Sequence, residues 1–182
     1  RTFAIRPSDF HLITPKMVIK EGAKVAAGDT LFYSKNNEAI KFVSPVSGTL
    51  TTIERGAKRV ITELVIEGDA QDSYKDFGVS NPDSMNSEEI KDHLLASGCW
   101  PFIKQRPFDV MANPQDMPKS IFVTAFNTEP LTADFDYSLY GQDVDFQKGL
   151  DMLAILTEGD VHLNIHSERT ASNMFKSAKN VM

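Results

Sequence analysis

The chain has 182 residues, with 19 Lys and Arg against 25 Asp and Glu, a net charge of −6 and a single cysteine, Cys99. An apolar content of 41% with 24% charged residues excludes wholesale disorder, and so few glycines and cysteines exclude collagen-like and disulfide-rich classes. The longest strongly apolar stretches, such as residues 121–126, fall far short of the ~20 residues that span a bilayer. The first residues lack a secretory-signal pattern, and a lone cysteine fits a reducing compartment. One large or two small soluble, cytoplasmic domains are expected.

The net charge hides an asymmetry. Residues 1–67 carry 10 basic and 7 acidic side chains (+3), and residues 68–182 carry 9 and 18 (−9). A domain boundary is expected at Glu67-Gly68-Asp69, where strand-like sequence gives way to a polar stretch. The acidic second half argues against nucleic acid as a partner.

The first half predicts short strands. Lys16-Met17-Val18-Ile19-Lys20, Thr30-Leu31-Phe32, Lys41-Phe42-Val43 and residues 60–66 are β-branched or aromatic runs punctuated by turn glycines. Glu21-Gly22-Ala23-Lys24-Val25 is echoed by Arg55-Gly56-Ala57-Lys58-Arg59-Val60, as two similar hairpins would require. Glu21-Gly-x-x-Val25-x-x-Gly28-Asp29-x-Leu31 followed by Ser44-Pro45-x-Ser47-Gly48-x-Leu50 resembles the biotinyl/lipoyl-type barrel-sandwich hybrid. In carriers of that fold a lysine stands at a hairpin tip about eight residues before the Pro. Counting back from Pro45 reaches Asn37, with Lys35 and Lys41 out of place, so biotin or lipoate is not expected here.

The second half changes period. Ser87 is the expected cap of a helix carrying Ile90, Leu94 and Leu95 and ended by Gly98. Residues 121–126 suit a buried parallel strand. A helix follows from about Asp143 to Leu156 with an apolar stripe of Phe146, Leu150, Leu153 and Ile155. Residues 161–165 predict a second strand, and Ser167-Glu168 a final helix bearing Ala171, Met174, Phe175 and Ala178. Strand, helix, strand, helix begins a βαβ sheet too narrow to stand alone, so a fragment of a longer protein is expected.

The segment from Leu95 to Phe108 holds the only Trp, two Phe, two prolines and two cations. One reading makes it a binding loop, aromatic for stacking and cationic for a polar head. The other makes it a rigid connector whose aromatics fill a gap.

Taken together, Pro15-Lys16-Met17-Val18, Gly56-Ala57-Lys58-Arg59-Val60, Ser97-Gly98-x-Trp100, Arg106-Pro107-Phe108 and Ile121-Phe122-Val123-Thr124-Ala125-Phe126-Asn127-Thr128-x-Pro130-Leu131 resemble one family in order and spacing. The family is the A subunit of the bacterial Na⁺-translocating NADH:quinone oxidoreductase, and Phe146-Gln147-x-Gly149-Leu150-Asp151 extends the match. The resemblance implies an α+β multidomain chain in three parts. Residues 1–68 would form the barrel-sandwich hybrid, 69–118 a linker and helix with the aromatic segment, and 119–182 the start of a Rossmann-like α/β domain. It also implies a peripheral subunit on the cytoplasmic side of the inner membrane, reaching the bilayer through its partner subunits. The complex carries electrons from NADH through flavins and iron centres to quinone, ubiquinone or menaquinone, and exports Na⁺. Trp100, Phe102, Arg106 and Phe108 are the expected quinone-proximal residues, and Lys58 and Arg59 the expected docking residues. A noncatalytic adaptor pair from an Rnf-like complex, without a ligand, is the alternative.

More distant relatives hold flavin mononucleotide in a Gly-rich loop. Gly98-Cys99-Trp100-Pro101-Phe102 has one Gly, a bulky Trp and a Pro without an N–H, so FMN is not expected. Cys99 has no His near it in sequence, and His162 and His166 fall across a strand end, so neither a nucleophile nor a metal site is expected. Asp134, Asp136, Asp143 and Asp145 lack the Gly-centred loop of a Ca²⁺ site and predict a solvated acidic loop.

Overall fold

A computed structural model describes residues 1–78 and 81–182, and the chain divides into two compact units. One unit holds the chain up to residue 78 together with 91–114; the other holds 81–90 with 115–182. Residues 91–114, expected as part of a connecting segment, therefore lie within the first unit.

The first unit is built from β1 (Thr2–Ile5), β2 (Pro15–Met17), β3 (Lys24–Val25), β4 (Thr30–Ser34), β5 (Asn37–Val43), β6 (Gly48–Arg55) and β7 (Ile61–Gly68). They form two antiparallel sheets, ordered β1-β7-β6-β3 and β2-β4-β5. Val25 and Leu50 from one sheet, Leu31, Phe32, Ile40 and Phe42 from the other, and Ile61, Leu64 and Ile66 of β7 make the core. Ile61 and Leu64 both point inward although three residues apart, because a bulge in the β6–β7 pairing inserts Thr62.

The motif residues hold the turns between strands. The Asp29 carboxylate accepts the Ala26 N–H at 2.8 Å, and the Gly28 N–H donates to the Ser44 carbonyl at 2.8 Å. Ser44 and Ser47 are buried but satisfied: the Ser44 hydroxyl donates to Val46 O and the Ser47 hydroxyl accepts from Ser73 N–H. Gly48 is required by space, since a Cβ there would run into the Glu67 carbonyl.

Two expectations fail in this unit. The β4–β5 hairpin turns at Lys35-Asn36, with Ser34 opposite Asn37, so a lysine does stand in the tip that the count from Pro45 placed at Asn37. Pairing in this hairpin is irregular, with register shifts between Thr30 and Phe32 and between Tyr33 and Ser34, so a fixed count along the sequence does not locate the tip. The echo also dissolves. Gly22 precedes β3 with φ +83°, whereas Gly56 is extended and the turn is made by Lys58 and Arg59, with φ of +54° and +61°. The same letters thus lie in different conformations.

Helix α1 (Ser87–Ser97) begins at a capping box built on Asn86, not Ser87. The Asn86 side chain accepts from Glu88 and Glu89 N–H, both at 3.0 Å, while Glu89 returns a bond to Asn86 N–H at 2.8 Å. Strands β8 (Lys104–Gln105) and β9 (Val110–Met111) close the first unit as a short hairpin.

The second unit contains β10 (Ile121–Thr124), α2 (Phe135–Ser138), α3 (Asp143–Ile155), β11 (Val161–Asn164) and α4 (Asn173–Lys176). β10 and β11 are parallel, with Ile121 opposite Val161, so the expected βαβ crossover is present. The Met182 backbone continues the pairing beside β11, donating to Val161 O and accepting from Leu163 N–H. Ala125, Met174 and Phe175 form a buried cluster against which Phe135, Leu139, Phe146, Leu163 and Ile165 pack.

β10 is not the buried strand expected: Phe122 is exposed and stacks on His162 at 4.6 Å, because helices cover only one face. On α3, Leu150 is buried, while Ile155 is exposed rather than part of the inward stripe. The final helix is a single turn capped by Ser172, not a helix from Ser167. No helix among the described residues is long and apolar enough to cross a membrane.

Candidate functional site

The aromatic segment is fixed at its entry by Gly98. Its φ of +75° ends α1, the Cys99 N–H reaches back to Leu94 O at 3.0 Å, and a Cβ would stand 2.7 Å from both Val43 methyls. A short 3₁₀ turn, Trp100–Phe102, follows with Pro101 fully buried. Trp100 is only 5% exposed, and its indole N–H donates to Ala112 O at 2.8 Å. The Ala112 N–H donates to Ile103 O, so the indole is bolted to the base of the β8–β9 hairpin.

The hairpin turns through Arg106-Pro107-Phe108-Asp109, with a cis bond before Pro107. Asp109 faces both Lys104 Nζ (3.7 Å) and Arg106 Nη1 (3.5 Å) across exposed surface. Phe102 is 74% and Phe108 71% exposed, whereas Phe10 leads inward, touching Phe102 at 6.2 Å and Phe42 at 4.6 Å. Phe42 in turn stacks on Phe32 at 4.6 Å, so a row of rings runs from the β core to the surface at Phe102.

An open cavity of about 230 Å³ lies beside this hairpin. His11, Asn36, Asn37 and Asn113 give it polar edges, and Ile40, Val110, Met111 and Ala112 an apolar wall. None of the four residues expected to meet quinone lines it. Trp100 sits behind the wall that Ala112 contributes, while Phe102, Arg106 and Phe108 are displayed on the surface. His11 and Met111 carry no sequence signal of a site; Asn36 does, as a residue of the hairpin tip, and Asn37 stands next to it, paired with Ser34. Lys58 and Arg59 lie elsewhere, at the tip of the β6–β7 hairpin, exposed and with no ion pair among the described residues.

The remaining candidates have structural partners. His166 Nδ1 accepts from Glu168 and Arg169 N–H, and His162 stacks on Phe122. Asp134 caps α2, and the Asp136 carboxylate accepts from Ala171 N–H (2.6 Å) and Ser172 N–H (3.1 Å). Among the described residues no cluster of His, Cys, Asp or Glu could hold a metal.

A two-sheet barrel-sandwich unit followed by a parallel α/β unit defines the class. Residues 1–69 match the family model of the NqrA N-terminal barrel-sandwich hybrid domain, and 85–182 that of the NqrA second alpha/beta domain. The chain belongs to the NqrA family. It is 39% identical over 165 residues to the A subunit of the Na(+)-translocating NADH-quinone reductase of Marinomonas sp. (strain MWYL1), covering 90% of this chain and 37% of that protein. The corresponding subunits of Shewanella amazonensis and Yersinia pestis are 41% and 36% identical over 151 and 162 residues. Those matches cover 82% and 88% of this chain, and 34% and 36% of theirs. The chain thus spans a little over a third of the length of these relatives.

Proposed function

We propose that this chain serves within a Na⁺-translocating NADH:quinone reductase as a quinone-proximal and docking portion of the complex's A subunit. The observation that carries the reading is the display of Phe102 by the 3₁₀ turn and of Arg106 and Phe108 by the β8–β9 hairpin that follows, while a buried, hydrogen-bonded Trp100 holds the hairpin's base beside an open cavity. A quinone needs apolar surface for its ring and tail and donors for its carbonyl oxygens. Phe102 and Phe108 supply rings for offset stacking, Arg106 supplies guanidinium N–H donors, and Trp100 keeps the frame rigid. These residues bind and orient; the electrons travel on the cofactors of the complex, and the reading calls for no flavin, biotin or lipoate on this chain. Lys58 and Arg59 are the proposed contact to the other subunits. The chain then sits peripherally on the cytoplasmic face and reaches the bilayer through those partners.

The test is a titration of the chain with a short-tailed ubiquinone, reading the fluorescence of Trp100, the only tryptophan. Saturable quenching is expected, weakened about tenfold when Phe102 and Phe108 are both changed to Ala. Absence of quenching up to the solubility limit, or quenching indifferent to the double change, overturns the quinone reading and leaves an adaptor.

A further inference from the structure

We infer that the outer face of α2 and the start of α3 is a docking surface for a cationic, apolar-anchored segment of a partner polypeptide, an assignment independent of the quinone reading. Residues 120–147 contain five carboxylates and neither Lys nor Arg. Asp134 and Asp136 are committed to backbone N–H groups, but no ion pair among the described residues engages Glu129, Asp143 or Asp145, all exposed. Among these charges stand Tyr137 (84% exposed), Tyr140 (88%), Val144 (73%) and a fully exposed Leu131.

Sidedness is fixed by what lies beneath. Phe135, Leu139 and Phe146 face the buried cluster of Ala125, Met174 and Phe175, so the alternate positions Tyr137, Tyr140 and Val144 face outward. Turn hydrogen bonds from Tyr140 N–H to Tyr137 O and from Phe146 N–H to Gln142 O carry the backbone across from α2 to α3. Asp136 pins α2 to residues 171 and 172, so the face is held in place before any partner arrives. Leu131 is held at φ +60°, a costly conformation for a Leu that contacts nothing in the free chain.

Charge selects the occupant. Anionic lipid and nucleic acid are repelled, and a second copy would set carboxylates against carboxylates. A Lys- or Arg-bearing segment with apolar anchors satisfies both features at once: cations meet Glu129, Asp143 and Asp145 and the tyrosine faces, and apolar side chains cover Leu131 and Val144.

Titration of the isotope-labelled full chain with an amphipathic Lys/Leu helical peptide, followed by amide NMR shifts, tests this. Saturable shifts confined to residues 129–146 are expected. Affinity should fall about tenfold for Tyr137→Ala/Tyr140→Ala and for Asp143→Asn/Asp145→Asn, and a Lys/Ser peptide of equal charge should bind about tenfold more weakly. Shifts spread over the acidic surface overturn the inference. So does an equal loss with Glu158→Gln/Asp160→Asn, or self-association through this face.

Discussion

Lys58 and Arg59 show how a single turn can favour display over stability. Both adopt left-handed backbone at the β6–β7 tip, the conformation a two-residue type I′ turn demands and one that Asn-Gly accepts at least cost. Each residue with a Cβ there costs roughly 1–2 kcal/mol relative to Gly. Nothing in the described structure offsets that with a side-chain contact for either residue, whose cationic ends point into solvent. Lys58→Asn with Arg59→Gly is therefore expected to stabilise the chain by about 1–2 kcal/mol in urea unfolding. Unchanged or lowered stability would show that the basic pair is not strained. If the pair docks the chain to its complex, the same variant binds the other subunits more weakly.

At the scale of elements, the sequence is legible where pattern and capping agree. Helix α3 begins at Asp143 as the acidic first turn predicts, and α1 ends at Gly98 as its φ requires. The cap of α1 is one residue earlier than expected, because Asn86 and Glu89 form a reciprocal pair. Asn86→Ala should therefore cost about 1 kcal/mol in thermal or chemical unfolding, and a loss below a few tenths would contradict the capping role. The helix expected from Ser167 fails for a local reason. His166 holds a single turn there, its Nδ1 accepting from residues 168 and 169 and its carbonyl from Thr170 N–H, and the turn stops because Ser172 is extended (φ −61°, ψ 133°) and caps α4 instead. The candidate site was legible only in part. An aromatic-rich segment announces itself in sequence, but which ring is buried depends on where Ala112 presents its carbonyl. Register in the β4–β5 hairpin, likewise, decides that Lys35 and not Asn37 occupies the tip.

For the whole molecule, the charge asymmetry of the sequence resolves into two units of different character. The barrel-sandwich unit has 14 basic and 12 acidic residues (+2), the α/β unit 5 and 13 (−8), summing to the −6 of the chain. Their cores differ as well. β6 and β7 are eight residues long, with Leu50, Leu64 and Ile66 fully buried between the sheets, whereas β10 and β11 are four residues long and one face is open. Local opening is easiest where apolar burial is small and like charge is dense. Hydrogen exchange of the full chain should therefore show β10 and β11 at least tenfold less protected than β6 and β7, a difference of about 1.4 kcal/mol. Raising ionic strength from about 0.01 to about 0.5 M shortens the screening length from ~30 Å to a few ångströms. That change should narrow the gap by slowing exchange in the −8 unit while leaving the +2 unit nearly unchanged. Equal protection in the two strand pairs would mean that the small α/β core is sufficient by itself. A gap indifferent to salt would assign the weakness to missing burial rather than to charge.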